Sequence, residues 1–155
     1  MSLLKRFSQR AIYSSLFLLM ALASFAKAAD LNQESTQVFG DYTVHYIAFN
    51  STFIQPEIAK SYDLVRAKNQ ALINITVQNK AGQAIAAKLN GYSQNLMQQQ
   101  KSLDFKIITE QDAIYGIAAL RVTNNEEVMN FVIEITPPNA KPFTLKFTRR
   151  MYIEP

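Results

Sequence analysis

Apolar and polar side chains alternate in PFTLKFTRRMYI, where Phe143, Leu145, Phe147 and Met151 take one phase and Thr144, Lys146, Thr148 and Arg150 the other. A period of two predicts a strand with one buried and one wet face. Arg149 falls on the apolar phase, so the strand either leaves the core there or lays the aliphatic stem of the arginine along it. VMNFVIEIT repeats the pattern, with Met129, Phe131, Ile133 and Ile135 inward and Asn130 and Glu134 outward. The intervening PPNAKP has prolines that cannot donate to a ladder. An antiparallel pair follows, with Glu134 opposite Thr144 or Lys146.

Further back, LDFKIIT alternates Leu103, Phe105 and Ile107 against Asp104 and Lys106. AIYGIAALRV is apolar on both phases, as a strand covered on both sides would be, with Gly116 where something packs closely. ALINITVQ and AIAAKL, joined by NKAG, predict a hairpin. NLMQQQKS reads as an exposed loop or a frayed short helix. With VFGDYTVHYIAF at the front, about seven strands emerge and no helical crossover of the kind a parallel sheet needs. The fold class is all-β: a single antiparallel immunoglobulin-like sandwich with one short helix after the first strand. The cysteine pair and tryptophan of immunoglobulin domains are absent, and a small open barrel is the structural alternative.

The helix is predicted in NSTFIQPEIAKSYDL. Pro56 suits a first helical position, and Ile58 and Tyr62 fall four residues apart. Two turns cannot hold themselves, so Phe53, Ile54, Ile58 and Tyr62 should dock on the sandwich. The preceding strand puts Tyr42, Val44, Tyr46 and Ala48 on one phase and Thr43, His45, Ile47 and Phe49 on the other, so His45 points away from the core. The plain reading is an end-cap. The sharper one is a binding surface formed by His45, Tyr46, Phe49, Phe53, Ile54 and Tyr62.

Composition narrows the chemistry. Lys5, Arg6 and Arg10 precede an uncharged run, Ala11 to Ala26, that closes on Ala26-Lys27-Ala28. This reads as a secretory signal peptide over residues 1–28, cleaved before Ala29, and leaves one domain over 29–155 with no stable membrane anchor. An uncleaved anchor would leave the small residues at the cleavage positions without a purpose. Cleavage removes four of the 16 basic residues, so 12 remain against 12 acids, and nothing draws nucleic acid or anionic lipid to the mature chain. The absence of cysteine excludes disulfides, thiolate metal sites and a lipidated N-terminal cysteine.

His45 is the single histidine, and neither a G-x-S-x-G elbow nor a paired metal-ligand spacing accompanies it. No cofactor or metal is expected. The acid pairs Glu110/Asp112 and Glu126/Glu127 read as turn residues. Asn50-Ser51-Thr52 and Asn74-Ile75-Thr76 match the glycosylation pattern, the second in mid-strand, where chance is the simpler explanation.

ESTQVFGDYTVHYIAFNSTFIQPEIAKSY, RAKNQALINITV, DAIYGIAAL and the closing PFTLKFTRRMYI together give the chain its character. It resembles the small exported proteobacterial proteins grouped as domain of unknown function 4426. The resemblance spans the mature chain and implies a Gram-negative periplasmic protein of one β-rich domain. It implies no activity and no catalytic or ligand residue. The function expected is therefore a non-enzymatic binding or interaction module of the cell envelope, whose partner is another periplasmic or envelope protein. The alternative is a small-ligand-binding protein or enzyme with a pocket beside His45.

Overall fold

The structure is a computed structural model, and it describes residues 35–155. The signal-peptide segment lies outside the described residues. Nine strands form: β1 (Ser35–Phe39), β2 (Tyr42–Asn50), β3 (Gln70–Gln78), β4 (Lys88–Asn95), β5 (Gln100–Leu103), β6 (Lys106–Glu110), β7 (Ala113–Arg121), β8 (Glu127–Thr136) and β9 (Phe143–Met151). They make two antiparallel sheets, ordered β1-β2-β3-β7-β6 and β5-β4-β8-β9. Inward phases of both sheets meet in one core, from Val44, Ile73 and Leu120 on one side to Phe131, Ile133 and Leu145 on the other. The architecture is a sandwich of open sheets, not a closed barrel.

Nine strands replace the expected seven for identifiable reasons. VFGDYTVHYIAF is a hairpin, because Gly40, at φ 58°, takes the left-handed conformation that lets the chain reverse before β2. β1 escaped the pattern because Ser35, Thr36 and Gln37 are polar, as an edge strand tolerates. LDFKIIT divides at Asp104-Phe105, leaving β5 in one sheet and β6 in the other. Of the two readings of the polar NLMQQQKS, the exposed loop holds over 96–99, a turn closed between Asn95 and Gln99, and the helix does not form; the segment then enters β5. The short helix α1 (Pro56–Ser61) consequently follows the second strand, after one 3-10 turn over Ser51–Phe53.

The expected ALINITVQ/AIAAKL hairpin is reduced to one bridge, Gln78↔Ala84, with Ile85 N–H donating to the Val77 carbonyl at 2.9 Å. The chain then crosses to the other sheet and begins β4. The β8–β9 hairpin keeps its predicted register, with Glu134 opposite Thr144. Gly116 lies under Leu89, whose Cδ1 would stand 2.1 Å from any added Cβ, so the close packing expected there comes from the facing sheet.

Two loops share a pattern that strand periodicity does not reveal. Asn79-Lys80-Ala81-Gly82-Gln83 and Asn95-Leu96-Met97-Gln98-Gln99 are both Asn-x-x-x-Gln. In each the asparagine Oδ1 accepts from the backbone two and four residues on, at 2.9–3.1 Å, and its Nδ2 donates to the glutamine Oε1. The fourth position is left-handed in both, Gly82 at φ 78° and Gln98 at φ 63°. A side chain there carries a steric cost that glycine avoids. Gln98→Gly is expected to raise the unfolding free energy by about 0.5–1 kcal/mol, read from denaturant midpoints at unchanged slope.

Among the described residues, no helix is long and apolar enough to cross a membrane.

Candidate functional site

The segment between β2 and β3 forms the cap. Ser51, fully buried, ties its two ends together, donating from Oγ to the Ala67 carbonyl at 3.2 Å and accepting from Ala67 N–H at 3.0 Å. Its far side reaches β6: Lys106 Nζ donates to the Tyr62 carbonyl at 2.8 Å, and Tyr62 hydroxyl donates to Glu110. The cap thus spans the outer face of the five-stranded sheet. That accounts for Leu72 and Ile108, which are buried although they stand outside the core cluster. The C-terminal tail fastens it, with Glu154 accepting from Asn50 Nδ2 at 3.3 Å and from Thr52 Oγ1, and Glu154 N–H donating to the Lys68 carbonyl at 3.0 Å. Asn50, the first sequon residue, is therefore buried and engaged.

The cap docks by fewer side chains than its pattern predicts. Ala59 is buried and Ile54, Tyr62 and Leu64 are half-buried, but Phe53 is 66% exposed and Ile58 46%. Six helical residues present less than two turns, so a stripe at four-residue spacing cannot all face the sheet.

His45 and Tyr46 are separated by the sheet itself. Tyr46 packs inward on Phe147, ring centroids 4.6 Å apart. His45 lies on the outer face, its Nδ1 3.1 Å from Thr36 Oγ1 and its Nε2 3.1 Å from Gln78 Oε1. Phe49 is half-buried on that same outer phase, opposite Leu72 in the ladder. The six candidate residues therefore do not converge: Tyr46 is in the core, Phe53 is in solvent, Ile54 and Tyr62 belong to the cap, Phe49 stands in β2 on the outer face, and His45 lies further along the same strand.

What His45 joins instead is a trough of about 1030 Å³. Its origin is a fork in the sheet. The β3–β7 ladder ends at Ile75↔Gly116, so Thr76–Gln78 and Ala113–Tyr115 diverge. Ala84 and Ile85 fall in beside β3 in place of β7. The walls come from β3 (Asn74, Thr76, Gln78), from the first Asn-x-x-x-Gln loop (Asn79, Gln83), and from the β6–β7 turn and the start of β7 (Gln111, Asp112, Tyr115). Beside it, Ile85, Leu89, Ile107 and Ile114 line a second, much smaller space of about 10 Å³, so the trough borders an apolar patch.

Carboxamides and hydroxyls dominate this lining, and Asp112 is its single carboxylate. Paired-carboxylate hydrolysis has no second acid in the trough to use. Asn74 Oδ1 is buried with no hydrogen-bond partner, an arrangement that ordinarily costs about 1–3 kcal/mol. Such a lining suits a neutral ligand rich in hydrogen-bonding groups. Among the described residues no three histidine, aspartate or glutamate side chains gather to hold a metal ion. Of the trough residues, sequence reading named His45 and missed the others, because carboxamides scattered over three segments show no motif until the fork assembles them. The repeated Asn-x-x-x-Gln was the one signal available.

Comparison with known proteins agrees with this fold. A crystal structure of a DUF4426 family protein from Pseudomonas aeruginosa is similar over 79% of this chain and 97% of that one, with 32% sequence identity and a TM-score of 0.72. No protein of curated function matches the chain. The family model for domain of unknown function 4426 matches residues 36–154. The chain belongs to that family.

Proposed function

We propose that this protein is an exported, non-enzymatic binding module of the periplasm and that its ligand lies in the trough at the fork of the five-stranded sheet. Export is supported by the basic, apolar and small-residue succession of residues 1–28. The observation that carries the site is Asn74 Oδ1, an acceptor held buried and unsatisfied in a trough at the upper end of the usual ligand-pocket range of about 300–1,000 Å³. A ligand donor would complete it.

The reading predicts opposite effects of one substitution on stability and on binding. Asn74→Leu keeps the branching and heavy-atom count of the side chain and removes the orphaned acceptor, so with room to spare at the trough the unfolding free energy is expected to stay level or rise by about 1 kcal/mol. Amide chemical shifts provide the binding readout. Titration of labelled protein with N-acetylglucosamine disaccharide and with capped, uncharged peptides should move residues 74–85 and 109–115 saturably, and Asn74→Leu should weaken that response at least about tenfold. Perturbations confined to residues 49–66, or none, would dismiss the trough.

A second reading is favoured by the exposed cap, where Phe53, Ile58 and Val65 leave apolar surface in water. There the cap would meet another envelope protein. Photo-crosslinkers at positions 53 and 58, with the captured protein identified and rebound in pure form, test it. Failure to rebind would remove this reading.

A further inference from the structure

We propose that the occupant of the trough is an extended polypeptide segment, which completes the forked sheet as an added strand. This rests on the trough being the binding site and specifies what fills it.

The argument begins with main-chain direction. In an antiparallel ladder, successive residues turn their N–H and C=O to opposite sides. Val77 accepts from Ile85, and Asn79 donates to the Gln83 carbonyl at 2.9 Å, so both bonds flank the Gln78↔Ala84 pair. The N–H and C=O of Ala84 consequently point away from β3, into the fork. On the opposite bank, a two-residue turn closes on Glu110↔Ala113 and spends the groups of Ala113 and Tyr115 on β6. Ile114, between them, directs its own toward β3, where the ladder has already ended at Gly116. Two strand edges thus face one another across the trough with main-chain donors and acceptors aimed into it.

Exposed edges in native sheets are usually short, charged or covered. These are interior to a five-stranded sheet and carry Ala84, Ala113 and Ile114, with no charge among them. A sugar has hydroxyls for the carboxamides, but it has no repeat that matches two strand edges. A peptide strand bonds alternately to both sides at about 3.3 Å per residue, so three residues would span Ala113–Tyr115. Side-chain preference follows from the lining. Residues of the added strand that point inward meet the apolar side chains of Ile85 and Ile114. Those pointing outward meet His45, Asn74 and Tyr115 and can be polar. The expected pattern is apolar alternating with neutral polar.

The test uses the full mature protein and linear dodecapeptides selected from a display library, then synthesised with blocked ends. The expected result is saturable shifts of the Ala84 and Ile114 amides with slowed hydrogen exchange at both. Resynthesis with alternate peptide amides N-methylated should weaken binding at least about tenfold, because it removes donors and leaves side chains in place. Binding at the trough that ignores N-methylation overturns the strand geometry. If N-acetylglucosamine disaccharide moves these amides and no selected peptide does, the peptide inference fails and the trough stands as a site. If neither does, both fall.

Discussion

Replacing Phe131 by alanine is expected to lower the unfolding free energy by about 3–5 kcal/mol, measured from denaturant midpoints with the slope unchanged. Phe131 is 1% exposed and stacks on Phe147 at 4.7 Å between centroids, and Phe147 in turn meets Tyr46 at 4.6 Å. The three rings run from β8 through the edge strand β9 to β2, so they join the two sheets. Removing the first ring takes away both its own burial and the surface against which Phe147 is held. The cavity cannot close easily, because Ile133 and Met129 flank it on a strand paired on both sides. A loss below about 1 kcal/mol would show that the sheets are held elsewhere, by the aliphatic core and the stacked Phe39, Phe143 and Tyr42 rings.

Glu127 gives the second large effect and the pH dependence. Its Oε1 accepts from Asn95 Nδ2 at 3.0 Å, and its Oε2 from the amides of Thr123 and Asn124 at 3.1 and 3.3 Å. Burial alone would raise its pKa, but those three donors together with the charge of Lys101 outweigh it, and the carboxyl is held below its ordinary value of 4.5. A depressed folded-state pKa means the ionised form stabilises the fold. That contribution is complete above 4.5 and disappears as pH falls through the lower folded value. Glu127→Ala is expected to cost about 2–4 kcal/mol at neutral pH, because two backbone amides and Asn95 lose their acceptor together. Glu127→Gln should cost less and flatten the acid limb of the stability profile below about pH 4.5. An acid limb identical to the wild type's would place the linkage on other carboxylates.

The same carboxylate pins the second Asn-x-x-x-Gln loop to the β7–β8 connection, whereas the first such loop meets an acid only through the exposed Lys80–Asp41 pair and forms a wall of the trough. One loop design therefore serves rigidity at one end of the sandwich and a concave surface at the other. The second loop carries Leu96 and Met97, 73% and 65% exposed, on a fixed turn.

Much of the sandwich was legible residue by residue. The β8–β9 pairing and its phase followed from alternation and proline, because a buried face permits no one-residue slip; alternation left Glu134 opposite either Thr144 or Lys146, which share a phase, and the length of the connecting turn settled it on Thr144. The inward phase of Tyr42, Val44, Tyr46 and Ala48 and the outward phase of His45 came from the same rule. β1 was hidden because an edge strand need not be apolar, and β4 because its pattern starts before the chain has changed sheets. The cap was placed correctly along the chain but given too many anchors: Phe53 and Ile58 lie in solvent. Nothing in the pattern could tell that Ala59 would be its buried residue, since a small side chain contributes little to periodicity.

The amino-acid order by itself determined an all-β, cysteine-free sandwich with an apolar cap and the phases of β2, β3, β8 and β9, because periodicity is a local property that burial enforces; in β6 the buried residue is Ile108, not Ile107. The tertiary structure decided where two strands stop pairing. A ladder ends through the competition between distant segments: Ile85 takes the place beside Val77 that Ile114 would otherwise fill, and Leu89 from the facing sheet lies over Gly116 at the parting. From that fork comes the trough, with Asn74 and His45 on its walls, and no strand pattern contains it.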